Sequence, residues 1–182
     1  MSWLNISLLV LFVLYFAWKL SSLAGRLDRT HIRRDNALNS LRQHLAIRAA
    51  CVARIVASGK LETITANNLK LSLEDVLSAS EISFREYLSA ESVLTGLLCE
   101  VFEEEKSLDQ LLSSTQSASL VFELTRAAKR VQLARRFHND AVGASQLLHS
   151  RAAVRLFRLA GRTKVPTTVD LDDRVPNALN PF

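Results

Sequence analysis

Apolar side chains run unbroken at the start of the chain and then fall into a spaced pattern for most of its length. Between Met1 and Trp18 there is no Asp, Glu, Lys or Arg, and Lys19 is the one charge in residues 4–23. A helix of about 20 mostly apolar residues covers the hydrocarbon core of a bilayer. Leu8 to Leu14 supply its centre, with Phe12 among them; Trp3 marks one end and Tyr15 and Trp18 the other. Aromatic rings favour bilayer interfaces, and Lys19 can extend its ammonium into water from a stem left in lipid. A cleaved signal peptide is the competing reading, since Ser22-Leu23-Ala24 offers small residues at a plausible spacing. No Lys or Arg precedes the apolar run, as a signal peptide would require, so the segment reads as a retained anchor.

Beyond the anchor the spacing is helical. Leu38, Leu41, Leu45, Val52 and Ile55 repeat by threes and fours with Arg48 in the seam, and Gly59 is placed to cap this helix. Residues 61–77 predict a shorter helix, broken at Ser78-Ala79-Ser80, and Ser83 is a candidate cap for the next. That third helix carries Tyr87, Ala90, Leu94, Leu97 and Val101, and ends in a polar joint over residues 113–116. A last long helix is expected from about Ser117 to Ala160, with Leu120, Leu124, Ala127, Val131, Ala134, Ala141 and Leu148 in its seam. Gly161 caps it and Pro166 prevents its resumption. The expected fold is all-α: one N-terminal transmembrane helix, then an antiparallel, coiled-coil-like four-helix bundle. The expected divisions are an anchor over 1–25, a bundle over 26–161 and an extended tail over 162–182.

Composition agrees with that outline and narrows the chemistry. With 182 residues, three Pro and five Gly, neither an all-β fold nor disorder fits. The glycines never cluster, which excludes a phosphate-cradling loop. Cys51 and Cys99 form no metal-type pair and read as packing residues.

The charges are segregated. Residues 19–60 hold nine Lys or Arg against two acids, residues 61–125 three against twelve, and residues 126–164 ten against one. Two basic long helices around two acidic short ones would attract each other within a bundle. Lys19, Arg26, Arg29, Arg33 and Arg34 follow the apolar run against Asp28 alone, which predicts an outside N-terminus and a cytoplasmic bundle. Arg151, Arg155, Arg158 and Arg162 step by four, three and four, so they form one basic stripe. With Arg26 and Arg29 they are candidates for contact with anionic phospholipid, or with the acidic surface of an integral membrane partner. Nucleic acid is not indicated, because the basic stretch has no interleaved aromatics.

Motifs for catalysis are missing from the sequence. His31, His44, His138 and His149 show no metal-ligand spacing; His31 and His138 fall near seams, where a hydrogen-bonded core histidine is expected. Asp170, Asp172 and Asp173 lack an EF-hand spacing and are read as solvating the tail or meeting the basic surface of a partner. No phosphate loop, nucleophile elbow or paired-carboxylate pattern occurs, so the chain is expected to be non-enzymatic, without cofactor, metal or small-molecule substrate.

The run Ala134-Arg135-Arg136-Phe137-His138-Asn139-Asp140-Ala141-Val142 resembles the most characteristic motif of the LemA family, roughly A-R-x-x-Y-N-x-x-V, with His138 where that family has Tyr. Ala37 and Leu45-Ala46-Ile47-Arg48 are similar to the family's first-helix pattern, with Leu38 in place of Trp. Arg48, Arg135, His138 and Asn139 are therefore its motif positions here, and the arginine-rich Val154–Gly161 looks like an actinobacterial branch. The resemblance implies a short external N-terminus, one membrane helix, a bundle of long helices and no established activity. In size and layout the chain is also similar to the small accessory proteins of the actinobacterial cytochrome bcc–oxidase supercomplex. The expected function is thus a non-enzymatic accessory or scaffold subunit of a bacterial inner-membrane complex, with respiratory cytochrome subunits as the implied partner. The alternative is a self-assembling coiled-coil protein that binds anionic lipid at the cytoplasmic membrane surface.

Overall fold

The computed structural model describes residues 2–103, 105–150 and 167–179. Among them the protein is all-helical: α1 (Ser2–Ala57), α2 (Thr63–Ile82), α3 (Phe84–Glu103), α4 (Glu105–Leu112), α5 (Thr115–His149) and a short 3₁₀ turn at Asn177–Leu179. As its spacing predicts, α1 runs through Gly25 without interruption and stops just before Gly59, whose φ of 65° only glycine adopts freely.

Two boundaries differ from expectation, for one physical reason. Helix α2 passes through Ser78-Ala79-Ser80, because the Ser78 and Ser80 hydroxyls donate back to the Glu74 and Leu77 carbonyls at 2.9 and 2.7 Å. The break falls at Ser83 instead, in extended conformation (φ −159°, ψ 155°), and its hydroxyl accepts the Glu86 amide at 3.2 Å as the cap of α3. Ser114 likewise accepts the Ser117 amide at 3.3 Å, so α5 starts at Thr115, two residues before the predicted position. Arg151, Arg155, Arg158, Gly161, Arg162 and Pro166, and with them the predicted end of the last helix, lie outside the described residues.

The contacts group into two units. The first comprises Met1–Ala37 with His138–Thr168, the second Leu38–Phe137 with Val169–Phe182. In the first, among the described residues, Leu27 and Leu148 are buried with Leu23 packed against them, and Ala141 and Val142 are buried too.

The second unit holds the main core. Leu41, Leu45, Arg48, Val52 and Ile55 of α1 are all buried, as are Leu120, Leu124, Ala127, Val131 and Ala134 of α5. Helix α2 packs along α3. The seam of α3 is rotated from the predicted one: Leu88, Glu91, Leu94, Thr95, Leu98, Val101 and Phe102 are buried, whereas Tyr87, Ala90 and Leu97 are half-buried. The reason is Glu91, whose carboxylate needs the Arg48 guanidinium and so occupies a position that an apolar pattern would assign elsewhere.

The described part of the C-terminal segment carries no helix before Asn177, and it is held by the chain itself. Val169, Leu171, Pro176 and Leu179 are buried. Gln132 Nε2 donates to the Asp173 carbonyl at 2.8 Å, and the Asp172 amide donates to Ser92 Oγ at 3.2 Å.

Candidate functional site

The N-terminal part of α1 is an apolar rod whose described side chains are mostly exposed. Its most apolar 18-residue window has mean hydropathy 1.9, and none of it is buried; α1 is long and apolar enough to cross a membrane. Trp3 is 85% exposed, and Leu8, Phe12, Tyr15, Trp18 and Lys19 are exposed too. Lys19 Nζ lies 5.7 Å from the centre of the Tyr15 ring and 5.8 Å from that of Trp18, so the predicted interfacial residues form one cation–aromatic group. The Ser7 hydroxyl is satisfied within α1, donating to the Trp3 carbonyl at 2.6 Å. Arg26 and Arg29 are exposed, one to three turns further on.

Within the second unit the dominant polar feature is a buried ion pair. Arg48 Nη2 donates to Glu91 Oε2 at 2.6 Å and to the Glu91 carbonyl at 3.2 Å, with side chains 1% and 0% exposed. Thr95 Oγ1 donates to the same carbonyl at 2.9 Å. The Tyr87 hydroxyl bonds the Glu91 carboxylate, and burial together with that negative charge pushes its pKa well above the ordinary phenol value. This cluster binds α1 to α3. Its groups point at one another, which suits a structural role better than turnover.

The motif positions serve different contacts. Arg48 is committed to Glu91. Arg135 holds the C-terminal segment, its Nε and Nη2 donating to Asp173 at 2.6 and 3.2 Å. The basic surface met by Asp173 therefore belongs to this chain, while Asp172 pairs with Arg174 at 2.8 Å. His138 is buried in the first unit and hydrogen-bonded to the Arg34 backbone; burial lowers its pKa. Asn139 is half-buried.

Nothing here resembles an activated nucleophile. Burial raises the Cys51 and Cys99 thiols above their ordinary value, which disfavours the thiolate. Among the described residues no group of three or more His, Cys, Asp or Glu could hold a metal. A groove of about 620 Å³ in the second unit is lined mainly by apolar side chains, among them Ala46, Ala50, Leu73 and Phe84, with Arg42, Ser80 and Tyr87 as its polar members.

No family model matches this chain, and no curated protein or solved structure matches it either. Function has to be argued from its own geometry.

The Arg48–Glu91, Arg135–Asp173 and His31–His149 pairings are not announced by any local motif. Glu91 carried a signal: it lies on the Leu88, Leu94, Leu98 stripe, and an acid in one seam calls for a base in another, which Arg48 provides. His31 and His149, 118 residues apart, meet at 3.1 Å between Nε2 atoms, and no local spacing announces it.

Proposed function

We propose that the chain is a non-catalytic, single-pass accessory or scaffold subunit of a larger bacterial inner-membrane complex. In this reading the N-terminus is outside, the apolar start of α1 packs laterally on the partner, and the remainder forms a four-helix antiparallel bundle in the cytoplasm. The observation that carries it is the rod of exposed apolar side chains over residues 6–18, with the Lys19–Tyr15–Trp18 cation–aromatic group at its C-terminal end. Such a surface in water would be a severe aggregation liability; in lipid or against another membrane helix it is satisfied. Orientation rests on Lys19, Arg26, Arg29, Arg33 and Arg34 following the apolar run. The non-catalytic reading is supported by polar clusters whose members are spent on one another, Arg48 on Glu91 and Arg135 on Asp173.

The resemblance to actinobacterial LemA-like proteins makes a respiratory cytochrome bcc–oxidase complex the first partner to test. Extraction of the tagged chain in mild detergent, a native gel and mass spectrometry of the co-migrating band provide the test. Larger integral-membrane subunits in fixed ratio are expected. A chain that migrates alone or only with itself, even after cross-linking in the native membrane, would refute the proposal.

A second reading is favoured by the exposed guanidinium groups of Arg26, Arg29 and Arg33: a self-assembling protein held to anionic lipid. It predicts self-oligomers in the same gel. It also predicts that Arg26→Gln with Arg29→Gln loosens residues 26–33 from anionic bilayers, in a salt-sensitive way, with no change on neutral ones.

A further inference from the structure

Contact between α1 and α5 in the first unit combines apolar and polar groups. Among the described residues Leu27 and Leu148 pack together with Leu23 alongside, and Ala141 and Val142 of α5 are buried as well. Around them lie His31 and His149, the buried His138 and the buried Ser145, whose hydroxyl has no hydrogen-bond partner among the described residues.

The two histidine rings are 20° from coplanar, and their centres are 5.4 Å apart. That separation is close to the 3.1 Å between the Nε2 atoms plus one ring radius on each side. The nitrogens therefore face each other along the line of centres, which is the geometry of an N–H···N hydrogen bond. Two imidazoles on one zinc, at about 2.0–2.1 Å each, would instead converge on a common point at an angle. No third His, Cys, Asp or Glu joins the pair among the described residues. What the pair shares is a proton.

An Nε2–H on one ring and an Nε2 lone pair on the other can form this bond while both rings are neutral. It also survives one added proton, which goes to the Nδ1 of the donor ring. A second added proton takes the accepting lone pair, and two imidazolium N–H groups then face each other. Arg34, half-buried on α1, adds positive charge beside the pair, although its Nε and Nη2 also donate to Asp35 at 2.9 and 2.7 Å. Among the described residues, the other charged groups near the pair, Arg26, Asp28, Arg29, Arg33, Asp35 and Asp140, are exposed.

The geometry points to a proton-released clasp, in which the His31–His149 bond holds α5 on α1 until both rings are charged and then parts. The direction is consistent with the electrostatics. Burial, then the charges of His31 and Arg34, hold His149 below its ordinary value of 6.5. A histidine depressed in the folded state contributes stability that is present above its unfolded value and is lost as the pH falls through the folded one. The clasp is closed at neutral pH and opens in acid.

The test uses the full chain, labelled with ¹⁵N-histidine, in lipid nanodiscs with a chelator present. At neutral pH one ring should be protonated at Nε2 and the other at Nδ1, with coupling across the N–H···N bond. On acidification the His149 ring should titrate below the ordinary histidine value. Amide exchange over residues 139–149, corrected for its intrinsic pH dependence, should then rise about tenfold or more. A His149 ring that titrates at the ordinary value would overturn the proposal, as would unchanged exchange once both rings are charged. His31→Gln with His149→Gln can still bond across the contact and cannot titrate, so exchange should become insensitive to acid. Opening at the wild-type midpoint in that variant would assign the effect to His138 and overturn the clasp. If the variant never forms the contact, the wild-type ring titrations decide alone.

Discussion

Replacing Glu91 by alanine tests whether the Arg48–Glu91 pair organises the second unit. Both side chains are essentially out of water, at 1% and 0% exposure, and joined at 2.6 Å. Removing the carboxylate leaves a guanidinium buried with only the Glu91 backbone carbonyl, and uncompensated charges of this kind cost about 3–5 kcal/mol. Against a typical domain stability of about 5–15 kcal/mol, that is roughly a fifth or more of the total. Glu91→Gln should cost less, because the amide oxygen still accepts from Arg48 Nη2. Replacing both partners, Arg48→Met with Glu91→Leu, removes the desolvation penalty together with the attraction, and should return stability to within about 1 kcal/mol of wild type or exceed it.

The measurement is denaturant unfolding of the full chain in mild detergent, followed by helical circular dichroism, for wild type, each single variant and the double variant. Non-additivity in that cycle isolates the coupling. A Glu91→Ala cost under about 1 kcal/mol would refute the reasoning, and so would a double variant as unstable as the sum of the singles. Either result would mean that water reaches the pair and that its burial is not maintained in solution.

Three further outcomes follow from the same structure. Arg135→Ala removes two charge-assisted bonds to a largely buried Asp173 and should loosen the C-terminal segment by about 1–2 kcal/mol, read as faster proteolysis between residues 167 and 179 with helix content unchanged. Gly59→Ala puts a side chain at φ 65° and should lower stability by about 1 kcal/mol; the space around this glycine is open, so a larger loss would contradict a purely backbone cause. Leu11→Arg places a charge mid-way along the exposed apolar stretch at about 2.5–3.5 kcal/mol, and should shift the chain out of the membrane fraction; unchanged membrane retention would count against a spanning role for α1.

How far the fold can be read in the residues depends on how many turns of a helix report on one face. In α5 seven seam positions, from Leu120 to Leu148, were predicted from spacing alone and all are buried, because thirty residues of regular pattern average out local ambiguity. In α3 the pattern is shorter and contains Glu91. Ranking the acid as a surface residue rotates the inferred face by about one position, or 100°. Serines behaved in the same way: Ser78 and Ser80 look like a break, yet each can bond a carbonyl of the preceding turn, and only the extended backbone at Ser83 shows where the helix stops.

The site was less legible than the fold, since its members answer one another over long separations. Asp173 lies 38 residues from Arg135, and His31 lies 118 from His149. Each is unremarkable in its own neighbourhood. What could have been matched is charge type within seams. Arg48 stands in the seam of α1, and a buried base demands a buried acid, for which the acidic middle of the chain offers a carboxylate at core spacing. Glu91 satisfies it, flanked by Leu88, Leu94 and Leu98. Histidines give no such demand, because a neutral ring can be buried at modest cost with almost any hydrogen-bond partner. That is why the ion pair had a discoverable signature in the sequence and the His31–His149 contact had none.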